Sequence, residues 1–223
     1  MNKNLIGVSG KKRSGKNTVA SIINKLITKN ENIAYYNDPR GYNAGKTFGE
    51  WTKYEEKSFA YLVKKFASEL TGIPLDGWET EVDKALPLGP EWDYYEEREH
   101  EVTKYSVKKQ MTRRMMLKKL GSDACNQNLH PNCWVNGLFQ NYDELKSNWL
   151  ITDVRFPQEV EAIKQRGGIV IRVVRPATED KDAHISETAL DNYNEFDFVI
   201  MNDTNLEDLE EKVENILMSL GLL

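Results

Sequence analysis

The sequence is short of cysteine, with two thiols, Cys125 and Cys133, in 223 residues. They flank a single histidine, His130, which falls short of the ligand number and spacing of a zinc site, so reduced thiols are expected. An excess of positive charge is also missing. Lys+Arg is 30 against Asp+Glu 35, a net charge of −5, which argues against binding polymeric nucleic acid by charge. No apolar run approaches the length that spans a bilayer, and the opening MNKNLIGVSG is too short and too glycine-rich for a signal peptide. The expectation is a soluble, cytoplasmic protein with no membrane association. Its length suits one domain with a sizeable core, or a core plus a small lobe.

Against this acidic background stands one basic cluster, Lys11, Lys12, Arg13 and Lys16. It follows the short apolar run Leu5–Val8 and precedes a helical pattern. Strand, glycine-bounded loop, lysine and helix in that order make a phosphate cradle. Gly10 and Gly15 let the backbone turn tightly and approach a ligand closely. The loop amides and the first amides of the helix then converge on one spot. The usual pattern is G-x-x-x-x-G-K-[ST]; here Asn17 follows Lys16 and the hydroxyl comes one residue later, at Thr18. The plainer alternative is a basic loop that caps a helix and binds nothing.

Apolar periodicity predicts a helix from about Gly15 to Thr28, a strand over Ile33–Tyr36 and an irregular stretch to Tyr54. A helix follows over Phe59–Leu70, ended by Gly72 and Pro74. Residues 78–105 are acidic and aromatic, and read as an ordered lobe or lid, or as a solvated charged face. Thr112 is an expected N-cap for a helix stopped near Gly121. Trp134, Val135 and Leu138 mark a further helical segment. Strands are expected at Trp149–Thr152, Ile169–Val174 and Phe196–Met201, with a helix from Pro157 and a last helix opened by a Thr204/Glu207 capping box. Apolar strands alternating with helices indicate an α/β, three-layer α/β/α fold on a parallel sheet, with ligands at the carboxyl ends of the strands. The phosphate loop, Asp153, Arg155 and Arg175 would share that edge. Asp153 reads two ways: a carboxylate near a phosphate-bound metal, or a cap on the following helix.

The ordered set GxxRSGK, Phe59-Ala60-x-x-x-Lys64, Arg114 through Gly121-Ser122, and Asp153-x-Arg155-Phe156-x-x-Glu159 resembles the bacteriophage deoxynucleoside monophosphate kinases, P-loop enzymes. Trp134, Val173–Pro176, His184–Glu187 and Ile200–Asp203 are similar to that family too; about 37–58 and 76–110 are not covered. The resemblance implies a five-stranded sheet of order 2-3-1-4-5 in a single P-loop kinase domain, 1–223, containing a monophosphate-binding lobe at 37–135 and a lid at 175–195. It implies transfer of the γ-phosphate of ATP to a deoxynucleoside monophosphate, with Mg²⁺, and a homodimer in the host cytoplasm if the gene is a phage's. Gly10, Lys11, Lys12, Arg13, Ser14, Gly15, Lys16, Asn17, Thr18 and Arg175 would serve ATP. Arg114, Lys118, Gly121, Ser122, Trp134, Asp153, Arg155 and Glu159 would serve the monophosphate. Lys16, Arg114, Asp153 and Arg155 would be catalytic, and Asn17, Thr18 and Asp153 would hold the metal directly or through water. Two positions depart from the family pattern: Asn17 stands where Asp is usual and Lys118 where Gln is usual. A related small-molecule kinase acting on phosphomevalonate or dephospho-CoA, and a non-catalytic nucleotide-binding protein, are the alternative readings.

Overall fold

The structure is a computed structural model in which residues 4–36, 54–100, 103–176 and 188–223 are described. In chain order the elements are β1 (Leu5–Gly10), α1 (Lys16–Tyr36), β2 (Glu55–Lys57), α2 (Phe59–Thr71), α3 (Glu81–Ala85), β3 (Tyr94–His100) and β4 (Thr103–Lys109). They continue with α4 (Arg113–Lys118), α5 (Cys133–Phe139), β5 (Trp149–Val154), α6 (Pro157–Gln165), β6 (Ile169–Val174), β7 (Phe198–Met201) and α7 (Leu206–Ser219). They divide into two compact units, one of Met1–Phe59 with Asn141–Leu223, the other of Ala60–Gln140.

The first unit is built on a five-stranded sheet of order β2-β5-β1-β6-β7, with every neighbouring pair parallel. Counted along the chain without the separate hairpin, that order is the expected 2-3-1-4-5. Alternation along the strands sorts side chains onto two faces. On one face Ile6, Val8, Leu150, Ile171, Val173 and Ile200 form a single core with Val19, Ile23 and Leu26 of α1 and Leu209, Val213 and Leu217 of α7. On the other face α6 lies against β1 and buries Val160 and Ile163. Gly7 permits that approach: a Cβ there would sit 2.7 Å from Ile163 Cδ1. Helices on both faces make the three-layer architecture that apolar parallel strands require.

Four local expectations are corrected. Ile33–Tyr36 is not a strand, because α1 runs on to Tyr36. No glycine or proline separates it from the helix before it, and a four-residue apolar run does not distinguish strand from helix by itself. The second strand of the sheet is instead Glu55–Lys57, a charged edge strand with no apolar signature. The helix after Thr112 does not stop at Gly121; it widens into a π-helical segment, Lys119–Gln127. The last helix is capped by Asn205, whose side chain accepts from Asp208 N at 2.9 Å, so Thr204 lies outside the cap. The expected lid, 175–195, falls largely on 177–187, which lie outside the described residues.

The second unit has its own small core. Trp78 is fully buried with Ala67 and Met116, and Ile73, Leu88, Trp92, Met111 and Leu117 pack around them. Its indole N–H donates to Ile73 O at 3.3 Å, so the ring is buried without stranding its polar atom. The described residues of the aromatic, acidic stretch are therefore ordered: α3 is capped by Thr80, and β3 pairs antiparallel with β4. Thr112 caps α4 as expected, accepting from Met115 N at 3.3 Å.

Replacing Gly7 by alanine should cost about 1–3 kcal/mol, the usual price of overpacking. Ile163→Val, which deletes the clashing Cδ1, should recover part of that loss. Urea unfolding of the two single mutants and the double mutant checks it; purely additive losses would show that the close approach at Gly7 is not the constraint.

Candidate functional site

Parallel strands end at one edge, so the carboxyl ends of β1, β5 and β6 lie together. The loop that leaves β1 is shaped by left-handed residues: Arg13 at φ 63° and Gly15 at φ 101°. Ser14 N donates to Lys11 O at 3.1 Å, and the first helical bond of α1 runs from Val19 N to Gly15 O at 2.9 Å. The amides of Lys16, Asn17 and Thr18 are thus the leading donors of a long helix, the end that carries its partial positive charge. Asn202, after β7, donates to Ser14 O at 2.8 Å and fills the space where a Cβ on Gly15 would stand. The glycine is required there by contact as well as by conformation.

Within this frame Lys16 is buried, and its Nζ donates to Gly10 O and Lys11 O, each at 2.6 Å. Its pKa falls to about 8, first through burial, then through the charges of Arg155 and Arg172, with Asp153 opposing. Three cations therefore bear on one point beside a helix N-terminus. Ser14 Oγ is buried and has no hydrogen-bond partner. An orphaned hydroxyl, converging amides and concentrated positive charge together fit an anion with several acceptor oxygens. Asn17 and Thr18 are exposed on the first turn of α1. Lys12 lines the loop half-buried, Arg13 is exposed at its turn, and Arg175 is exposed after β6.

Asp153 sits near the end of β5 and Glu159 in the first turn of α6. Between the pairs Gly7/Ile151 and Ser9/Val154 the fifth strand carries one extra residue, a bulge just ahead of the site. Asp153 accepts from Ser58 Oγ at 2.8 Å and from Phe59 N at 2.9 Å, so both its oxygens are engaged by the segment after β2. It does cap a helical start, but that of Phe59 and not of the helix that follows it. Glu159, 6% exposed, accepts from Arg155 N at 2.6 Å and Phe156 N at 3.0 Å. Burial, reinforced by Asp153, pushes its pKa up to about 8, against those two amides and Arg155. Its carboxylate holds the turn that carries Arg155.

The remaining expected residues belong to the second unit. Arg114 pairs with Glu81 at 2.9 Å, both partners well exposed. Lys118 is exposed at the end of α4, and Gly121 and Ser122 lie on the π-helical segment, a distortion often found at functional sites. Trp134 donates its indole N–H to Gly121 O at 2.9 Å, tying α5 to that segment. Both cysteines are free thiols, and Cys125 is pushed up to about 11 by burial and by its hydrogen-bonded neighbour Cys133.

Arg172, Asn202 and Asp191 were not among the residues the sequence pointed to as a site. Arg172 had a signal, being the lone charge in the apolar strand IVIRVV. Asn202 lay within the family-like stretch Ile200–Asp203 and Asp191 within the expected lid, but neither had been given a role, since only the fold brings them to the loop.

A bound polyphosphate favours the charged form of Lys16 and so raises its pKa. Above pH about 8 binding should take up a proton, and affinity for ADP should fall as pH rises, by up to about tenfold per unit. Calorimetry in buffers of different ionisation enthalpy reads the uptake; Lys16→Met should abolish it. A pH-independent affinity between pH 7 and 10 would count against this placement of the charge.

A sequence profile described as deoxynucleotide monophosphate kinase matches residues 80–213. A deoxynucleotide monophosphate kinase of Escherichia phage RB69 is 38% identical over 108 residues, 47% of this chain and 44% of its own length. The protein of that name from Enterobacteria phage T4 is 33% identical over 116 residues, 50% of this chain and 48% of its own. The chain thus spans about half the length of these two curated relatives. A protein of Acanthamoeba polyphaga mimivirus, provisionally given the same name, is 27% identical over 221 residues, 94% of this chain and 93% of its own. With its profile match running over more than half of its length, the chain belongs to the deoxynucleotide monophosphate kinase family.

Proposed function

We propose that the protein transfers the γ-phosphate of ATP to a deoxynucleoside 5′-monophosphate, giving the diphosphate and ADP. The observation that carries this reading is the phosphate loop, where Lys16, the field of Arg155 and Arg172, and an orphaned Ser14 hydroxyl converge on the start of α1, in a chain of this family. Phosphoryl transfer asks for positioning and for neutralisation of charge that spreads over the transferred group. The loop residues Gly10 to Thr18 supply the first. Lys16 leaves the carbonyls of Gly10 and Lys11 for phosphate oxygens, which replace two neutral acceptors by anionic ones. Ser14 and the amides of Gly15 to Thr18 take further oxygens.

Arg155 holds the acceptor phosphate, with Glu159 as the group that fixes its backbone. Arg114, Lys118, Gly121, Ser122 and Trp134 are assigned to the monophosphate on the family motif. For Arg114 this means exchanging an exposed carboxylate, Glu81, for a phosphate. Arg175 is assigned to closing over ATP. Mg²⁺ fits the donor set: it takes oxygen ligands, keeps several waters and needs few protein groups besides the phosphates. Asn17, Thr18 and Asp153 would hold it directly or through water, Asp153 while keeping its bonds to Ser58 and Phe59, and it would neutralise charge on the transferred group. Work in the host cytoplasm and assembly as a homodimer are proposed on the family resemblance alone.

A coupled assay of ADP release across deoxy- and ribonucleoside monophosphates tests the reading. Release should depend on an added deoxynucleoside monophosphate; no stimulation by any nucleoside monophosphate would end it. Lys16→Ala should lower turnover with every acceptor. Arg155→Ala should act chiefly on the monophosphate KM, at a cost of about 2–4 kcal/mol by comparison with other preorganised donors. Equal defects toward ATP and monophosphate in both mutants would break the division of roles.

A further inference from the structure

We propose that Arg172 is a positioning residue for the nucleotide phosphates, fixing the exit of β1 and placing a permanent positive charge behind the phosphate loop. This rests on the reading of the loop as a nucleotide site. Arg172 is the one charged residue of β6, whose other members are Ile169, Val170, Ile171, Val173 and Val174. A guanidinium in such a strand is costly unless it is held by partners. Its side chain is 12% exposed, and it has three. Nη1 donates to Ser9 Oγ at 3.0 Å, Asp191 Oδ1 lies 3.8 Å from Nη2, and the guanidinium sits over the Phe196 ring at 5.4 Å.

Two of these contacts lead back to the loop. Ser9 is fully buried, pairs with Arg172 across the β1/β6 register, and is the residue immediately before Gly10. Asp191 also binds Lys11 of the loop at 2.8 Å. A single carboxylate therefore restrains one cation of the loop and the arginine behind it. Arg172 cannot swing away as an exposed lysine can, because hydroxyl, ring and carboxylate fix it from three sides. A charge that is already in place when phosphate arrives costs no reorganisation. Asp191 offsets part of that charge, so the two partners of this ion pair should act on nucleotide binding in opposite directions.

That difference in sign separates the proposal from a structural ion pair. Calorimetric titration of the purified full chain with ADP needs no acceptor. Arg172→Met, which keeps the length of the side chain, should weaken ADP binding about tenfold or more, as loss of a charged partner does. Arg172→Lys should restore part of it, and the monophosphate KM should stay within about threefold. Asp191→Asn should bind ADP at least as tightly as the parent. Unchanged ADP affinity in Arg172→Met overturns the proposal, as does equal weakening by Arg172→Met and Asp191→Asn. Should Arg172→Met fail to fold, the sign of the Asp191→Asn effect decides. A parent chain that binds ADP but phosphorylates no monophosphate would sink the activity and leave Arg172 in place; one that binds no nucleotide would sink both.

Discussion

A buried lysine bonded to two carbonyls of its own loop, and surrounded by other cations, sets the terms for this protein. Desolvation and the neighbouring arginines lower the pKa of Lys16 toward neutrality. The fold tolerates that strain because each contributor is anchored elsewhere. Ser9 and Asp191 hold Arg172, Glu159 holds the backbone of Arg155, and Asn202 holds Ser14. The loop is thus a positively charged surface maintained by a buried scaffold. On the proposed function, an anion with many oxygens would relieve this, and the electrostatic frustration of the free site would become a source of affinity in the bound one.

The same scaffold explains the shape of the sheet edge. A parallel sheet delivers β1, β5 and β6 to one rim, and the close packing of α6 on Gly7 fixes β1 from behind. The bulge in β5 turns Asp153 toward Ser58 and Phe59, while Glu159 gathers the next two amides. Two carboxylates six residues apart hence do different work: one ties the rim to the segment entering α2, the other shapes the turn of a cation. Glu159 is bound by two backbone amides, and Asp153 by one amide and the Ser58 hydroxyl, so each carboxylate fixes local geometry.

Much of the fold was legible because its signals are local. The β-branched run Ile169–Val174, the Thr112 cap and the glycine-bounded loop each follow from the chemistry of a few neighbouring residues. The misreadings also have local causes. Ile33–Tyr36 has too few residues to show a period. Glu55–Lys57 is a strand only because β5 offers it an edge, and Gly121 stands within a π-helical segment where glycine usually marks a stop. Around the loop, Lys16, Ser14 and Arg155 were singled out by motif, whereas Arg172, Asp191 and Asn202 reach the loop from more than 150 positions away.

What the sequence determined by itself is the α/β class, the helices and strands of the second half, the glycine-bounded loop after β1 and the family, since these rest on periodicity, turn chemistry and contiguous motifs. Tertiary structure decided which charges the loop feels and which groups Asp153 and Glu159 bind. The physical reason is range. Backbone conformation is set by near neighbours, but the pKa of Lys16, the burial of Glu159 and the clamp on Arg172 depend on low-dielectric contacts between strands that meet only after the sheet has formed.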